Sequence, residues 1–188
     1  MNNDFIDVFN RFKYLKISDI ASLFKYTSSK TFKKGELIAK EGEYCDSVFL
    51  ILKGIIRTYV LAPDSIDRAT RLAKENQFIT CAASFIHGKE STEFLEAVED
   101  CKVIAFKTRE INELSLENIR ILRFLNEGLK EAFAEVVERV EFFAVLTPEQ
   151  RYKKIMQESP ELIQRVPQKF LASYIGVTTV SLSRIRNR

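Results

Sequence analysis

Along this 188-residue chain the spacing of apolar positions changes character twice. Residues 5–26 place Phe5, Phe9 and Phe12, then Ile17, Ile20, Leu23 and Phe24, at helical intervals, which predicts one or two short helices. From Thr31 the period shortens. Lys33-Lys34-Gly35, Glu41-Gly42 and Lys53-Gly54 punctuate short runs rich in Val, Ile, Phe and Tyr, the pattern of an antiparallel roll or barrel. A hairpin is expected with arms at 55–61 and 68–72 around Ala62-Pro63-Asp64-Ser65. A last strand pair is expected at 94–98 and 103–106, with strand character ending near Lys107.

Thr108 then offers an N-cap, and from 115 to about 145 one helical pattern runs without proline. Its apolar positions are Leu122, Leu125, Leu129, Phe133, Val136, Val140 and Phe143, steps that average close to the 3.5 residues of a coiled-coil seam. Such a helix is about 45 Å long, too long for one small domain to cover alone. Two arrangements would bury it: packing within its own chain, or a symmetric dimer. The narrow stripe, and Gly128 where backbones can approach, favour the dimer, with Leu122, Leu125, Leu129, Phe133, Val136 and Val140 as its interface. Thr147-Pro148-Glu149-Gln150 next matches a capping box with proline at the first helical position. Helices are expected over Pro148–Glu158 and 160–164.

The last 21 residues carry the most specific signal. Pro167 starts a helix at its favoured position, Gly176 stands where a tight inter-helix turn needs positive φ, and Thr178 caps the following helix. Leu171, Ile175, Val177, Leu182 and Ile185 would pack the two helices steeply, with Ala172 small at their approach. This is helix-turn-helix spacing. The outer face of the second helix then shows Thr179, Ser181, Arg184 and Arg188, with Ser183 and Arg186 beside them. Short hydroxyls let a helix sit deep in a major groove, and arginine offers a fork to guanine or a charge to phosphate. Gln168, Lys169 and Thr178 lie at helix N-termini, where backbone N–H groups favour phosphate. A helical hairpin used only for packing is the plainer alternative; agreement of spacing, cap, turn glycine and charge favours DNA.

Charge sharpens that reading. The net +3 conceals an asymmetry: residues 147–188 hold eight Lys or Arg against three Glu, and the remainder is slightly acidic. A polyanionic partner is implied. No apolar run reaches the ~20 residues of a membrane span, and the polar, acidic residues 1–10 do not read as a secretory signal. Cys45, Cys81 and Cys101 are odd in number and widely spaced, which predicts reduced thiols and a cytoplasmic protein. With His87 the only histidine, no metal site, cofactor or catalytic set is expected.

The chain as a whole resembles the CRP/FNR superfamily of bacterial transcription regulators. The resemblance rests on Lys33-Lys34-Gly35-Glu36, Glu41-Gly42-Glu43 and Leu50-Ile51-Leu52-Lys53-Gly54 in the first half. In the second it rests on Leu171-Ala172-Ser173-Tyr174-Ile175-Gly176-Val177-Thr178 and Leu182-Ser183-Arg184-Ile185-Arg186. It implies an α+β fold: an N-terminal antiparallel β-roll, jelly-roll-like and resembling a cyclic-nucleotide-binding domain (1–114), a dimerisation helix (115–146), and a helix-turn-helix domain (147–188). The chain stops at Arg188, so the family's β-hairpin wing is expected to be absent or residual. Nucleotide-binding members carry a Gly-Glu pair that holds the ribose and an Arg-Ser/Thr pair that takes the cyclic phosphate. Counted without gaps from Phe78-Ile79, these fall on Thr80-Cys81 and Ser91-Thr92. Cyclic AMP is therefore not expected, and Thr80, Cys81, Ser84, Ser91 and Thr92 would line a smaller, more neutral pocket. The implied partners are double-stranded DNA, a second copy of the chain, an unidentified small effector, and RNA polymerase if the protein activates; no membrane partner is expected. A small-molecule-binding module whose C-terminal helices contact protein is the alternative function.

Overall fold

A computed structural model describes residues 12–187; the expected helical positions Phe5 and Phe9, and the DNA-facing Arg188, lie outside the described residues. The chain runs α1 (Ile17–Phe24), β1 (Thr27–Phe32), β2 (Leu37–Ala39), β3 (Ser47–Lys53), β4 (Ile56–Leu61), β5 (Asp67–Ala73), β6 (Phe78–Ile79) and α2 (Ala82–His87). It continues through β7 (Phe94–Ala97), β8 (Cys101–Lys107), α3 (Thr108–Glu117), α4 (Ile119–Ala144), α5 (Pro148–Glu158), α6 (Pro160–Arg165), α7 (Gln168–Ile175) and α8 (Thr179–Arg186). The strands form two four-stranded antiparallel sheets, ordered β1-β8-β3-β6 and β2-β7-β4-β5, which face each other as a roll.

Period-two alternation decides what each sheet covers. Phe49, Ile51, Val103 and Ala105 point into the roll and meet Ile56, Leu95 and Ala97 of the other sheet. Leu50, Ile104 and Phe106 point outward and are covered by Leu23 of α1, Ile111 of α3, and Ile121 and Phe124 of α4. The glycines Gly35, Gly42 and Gly54 all take positive φ at the expected turns. The hairpin β4–β5 closes around residues 62–66, with the Ser65 N–H donating to the Ala62 carbonyl. The strands expected as a last pair do not pair with each other: β7 lies between β2 and β4, and β8 lies between β1 and β3.

The long helix begins at Ile119 rather than near 115. Asn118, at φ −134° and ψ 103°, ends α3, and its side chain accepts from the Arg120 N–H to cap α4. The break is fastened from outside, because the buried carboxylate of Asp19 takes hydrogen bonds from Asn118 Nδ2 (2.7 Å) and the Arg120 guanidinium (2.5 and 2.9 Å). Thr108 likewise is the first residue of α3 rather than its cap, Lys107 standing at the N-cap.

The C-terminal helices do not form a separate core. Leu171, Ala172, Ile175 and Leu182 pack with Ile155, Leu162 and Val166, and the same cluster includes Phe142 of α4 and Ile55, Leu72 and Val98 of the roll. Fully buried Leu and Ile side chains of this kind contribute about 1.5–3 kcal/mol each. No helix among the described residues is long and apolar enough to cross a membrane.

Candidate nucleic-acid interface and sensor cleft

The turn between α7 and α8 is set by local chemistry. Gly176, at φ +80°, gives its N–H to the Ala172 and Ser173 carbonyls, and Val177 N–H also reaches Ala172. The Thr178 hydroxyl accepts from Ser181 N–H (3.1 Å) and contacts the Ser181 hydroxyl (3.0 Å), capping α8. Pro167 occupies the N-cap of α7 rather than its first turn. Leu171, Ile175 and Leu182 are fully buried between the helices.

That packing turns Thr179, Val180, Ser183, Arg184 and Arg186 outward. Ser181 is half-buried and engaged in the cap, so the outer face is offset from the expected one, and Val180, 60% exposed, joins it. Gln168 and Lys169 are exposed at the start of α7, with Gln168 Nε2 donating to the Thr179 carbonyl at 3.2 Å. Lys169 Nζ lies 3.6 Å from Asp67 of β5, a loose pair because the lysine side chain is 71% exposed.

The basic excess of residues 147–188 divides on folding. Arg165 is held by Glu75 and Glu99 of the roll, and Lys154 by Glu158. Arg151 donates to the Leu146 and Ile175 carbonyls and lies over the Phe143 ring. Lys153, Arg184 and Arg186 have no ion-pair partner among the described residues. Two of these three sit on α8.

The helix-turn-helix is fastened to its own roll by polar contacts. Ser173 Oγ donates to the Asp67 carbonyl and accepts from Ala69 N–H, each at 2.9 Å. Arg57, 4% exposed, reaches Asp67 at 3.1 Å and Glu96 at 2.6 Å, and lies between the rings of Tyr59 and Phe170. Arg139 of α4 gives one nitrogen to the Ala69 and Tyr174 carbonyls, so helix, hairpin and α7 meet at one guanidinium.

Along α4, Ile121, Phe124 and Phe142 are buried, and Leu125 is half-buried against the roll. Leu125 thus leaves the expected seam, whose other positions lie elsewhere on the helix. Leu122, Leu129, Phe133, Val136 and Val140 are exposed, Phe133 by 71% and Val140 by 62%. A Cβ placed on Gly128 would meet nothing within 4 Å.

Between α4, the β4–β5 hairpin, β6, α2 and the C-terminal helices lies a cleft of about 1040 Å³. Of the five pocket residues expected from the sequence, Thr80 lines it. Its hydroxyl donates to the Ser47 carbonyl at 2.9 Å. Cys81, Ser84 and Ser91 are buried in the wall. Ser84 Oγ accepts from Cys45 N–H at 3.2 Å, and Ser91 Oγ donates to the Glu93 carbonyl at 2.7 Å. Thr92 is exposed.

The cleft instead presents Arg71 and Glu93, which the gapless count passes over. Arg71 is committed to Glu135 of α4 at 2.5 Å and to the Phe78 carbonyl at 2.7 Å. Burial pushes the Glu93 carboxyl up, partly offset by the Ala82 N–H, the Arg71 charge and the Thr70 hydroxyl. Arg71 lies on a strand and Glu93 just before another, so nothing in their local sequence marks them as neighbours. Among the described residues no group of three or more His, Cys, Asp or Glu side chains is placed to hold a metal ion.

Residues 29–118 match the cyclic nucleotide-binding domain family. Curated proteins return no match to the sequence. Solved structures similar to the chain include one assigned to the CRP/FNR family of transcriptional regulators, from Eubacterium rectale. It has a TM-score of 0.75 at 15% identity over 96% of this chain and 86% of that one. FixK2 from Bradyrhizobium japonicum gives 0.72 at 16% identity over 86% and 83%. CLP from Xanthomonas campestris, a c-di-GMP responsive global regulator, gives 0.72 at 14% identity over 92% and 90%. The roll, long helix and helix-turn-helix of this chain thus make up the CRP/FNR fold.

Proposed function

We propose that this chain, built on the CRP/FNR fold with a cyclic nucleotide-binding domain at residues 29–118, is a homodimeric DNA-binding transcription regulator of the bacterial cytoplasm. The observation that carries the reading is α8: a capped, core-buttressed helix whose outer face is Thr179, Val180, Ser183, Arg184 and Arg186. Hydroxyls and arginine read base edges and phosphates, and an exposed valine suits a thymine methyl. The protein performs no catalysis in this account. Paired α4 helices would set two recognition helices about 34 Å apart, one turn of DNA, so the operator is a pseudo-palindrome. RNA polymerase is a partner if the bound protein activates.

The sensor roll responds to something other than cyclic AMP or cyclic GMP. A cyclic phosphate carries a full charge, and enclosing it without a free cation costs several kcal/mol. Arg71, the arginine facing the cleft beside α2, is already paired with Glu135, and Glu93 adds a carboxyl there. Arg139, which also lines the cleft and has no carboxylate partner among the described residues, is half-buried and held by the Ala69 and Tyr174 carbonyls. A neutral or less acidic effector fits better between Thr80, Phe85 and the apolar side of α4. Genome-wide recovery of bound DNA tests the main reading, and the expected product is one pseudo-palindromic motif. Recovery no better than from a strain lacking the protein would refute it. Calorimetry with either nucleotide tests the sensor: no heat of binding is expected at micromolar protein, and micromolar affinity would overturn that part alone.

A further inference from the structure

The roll side of the cleft is set by strand register. Ile56 of β4 stands opposite Ala73 of β5 and Ala97 of β7, and all three belong to the interior of the roll. Two residues along, Thr58 stands opposite Arg71 and Leu95, so period-two alternation turns these inward as well. Thr70 is the extra residue of the bulge that follows, its hydroxyl 2.6 Å from that of Thr58. Glu93, two residues before Leu95, continues the same face just outside β7 and lines the cleft with Thr58, Thr70 and Arg71. Its Oε1 accepts from the Ala82 N–H at 3.0 Å, and among the described residues no lysine, arginine or histidine nitrogen is within ion-pair distance of it.

The cations of the cleft are committed elsewhere. Arg71 is held by Glu135 of α4 at 2.5 Å and by the Phe78 carbonyl at 2.7 Å. Lys154 pairs with Glu158 at 2.7 Å, and Arg139 gives one nitrogen to two backbone carbonyls. With Glu131 and Glu138 of α4 included, the wall holds five carboxylates against four cations. The fourth cation, Lys74, pairs with Glu161, which lies outside the wall. Negative charge is thus in excess. From Ala82 onward the surface turns apolar, as α2 adds Phe85 and Ile86 and β6 adds Phe78, with Ile86 63% exposed.

We propose that this end of the cleft takes an organic cation: a primary ammonium or comparable nitrogen cation paired with Glu93, on an apolar body that lies against Phe78, Phe85 and Ile86. The proposal rests on the reading of the cleft as the effector site and names the class of effector. A carboxylate in an apolar wall loses hydration and keeps its charge only where something compensates it. One backbone N–H does part of this, and an ammonium completes it with a charge-assisted hydrogen bond. Burial pushes the Glu93 carboxyl up, as expected where the compensation is incomplete. A carboxylate or phosphate ligand would meet Glu93 with like charge and find Arg71 and Arg139 engaged. The volume of about 1040 Å³ has room for a small ligand of this kind. Arg71 ties the same wall to Glu135 of α4, so a cation bound here sits beside the contact between roll and long helix.

The test uses the full chain without DNA, so its outcome is independent of the DNA-binding reading. Phenethylamine, phenethyl alcohol and hydrocinnamate, which share one apolar part, are titrated in turn at neutral pH while the protein's amide resonances are followed by NMR. Expected is saturable binding of the amine, roughly tenfold tighter than the alcohol, with the acid weakest and with shifts at Ala82 and Phe85. Glu93→Gln keeps an acceptor for the Ala82 N–H and should bring the amine to the affinity of the alcohol. Glu138→Gln, on the exposed flank of α4, should keep the amine's advantage. The three-probe comparison on the native chain decides the matter by itself if Glu93→Gln does not fold. Equal binding of the three, preference for the acid, or an amine advantage that survives Glu93→Gln would overturn the cation and leave the cleft as an effector site. No binding by any of the three would overturn both.

Discussion

The backbone at Gly176 takes φ +80°, and a Cβ there would come within 2.7 Å of the Phe143 ring and 3.1 Å of the Arg151 guanidinium. Left-handed backbone costs an L residue about 1–2 kcal/mol, and overpacking against a ring adds a similar amount. Gly176→Ala should therefore destabilise the fold by about 2 kcal/mol or more, read as a lower denaturation midpoint. An unchanged midpoint would contradict the turn described. Glu75 offers a second test through pH. Burial pushes its carboxyl up, but the Arg165 guanidinium and the Gly54 N–H more than reverse this and bring it to about 2. The unfolded chain titrates near ~4.3. The contact's contribution is thus complete above that unfolded value and is lost as pH falls toward about 2. Across that window the thermal midpoint of the native chain should fall more steeply than that of Glu75→Gln. Parallel slopes would remove Glu75 from the acid response.

Helix α4 carries its information on two faces, one covered by the chain itself and one left apolar and exposed. In the proposed dimer the second face is covered by another copy. Replacing both Leu129 and Val136 with Asp should yield monomers by light scattering, since buried unpaired charge is costly. A double mutant that remains dimeric at micromolar concentration would move the interface elsewhere. Single elements of this kind were legible in the sequence wherever local rules set them. The Thr147 capping box, the turn glycines and the helix-turn-helix spacing each depend on neighbours within a few residues. The break at Asn118 was not legible, because apolar residues continue across it at Leu114, Leu116 and Ile119, and the partner that fastens it, Asp19, lies about a hundred residues away. The separation of β7 and β8 into different sheets was hidden for the same reason: strand partners are chosen by long-range contact. Arg71 and Glu93 escaped notice because the roll, not the sequence, makes them neighbours.

At the scale of the molecule, roll, helix and C-terminal helices share one apolar cluster and one polar seam. Arg57, Asp67, Ser173 and Arg139 join the β4–β5 hairpin to α7, so a shift of the hairpin reaches α8 through packed contacts. This is the route by which an event in the cleft would reorient the recognition helices in the proposed regulator. Lys169 sits on that seam, able to face Asp67 or a phosphate. Lys169→Ala should weaken binding to all duplexes alike and make the salt dependence shallower by about one unit per engaged subunit. An unaltered salt slope would place Lys169 away from the backbone contacts. In the proposed regulator, sequence preference belongs to α8 instead. The most direct measurement is a duplex titration of the native chain and Arg184→Ala, on the recovered operator and on variants changed at each base pair. The account predicts a loss on the order of 1–3 kcal/mol on the operator and relaxed preference at one base position per half-site. Unchanged affinity and unchanged preference for Arg184→Ala would contradict it.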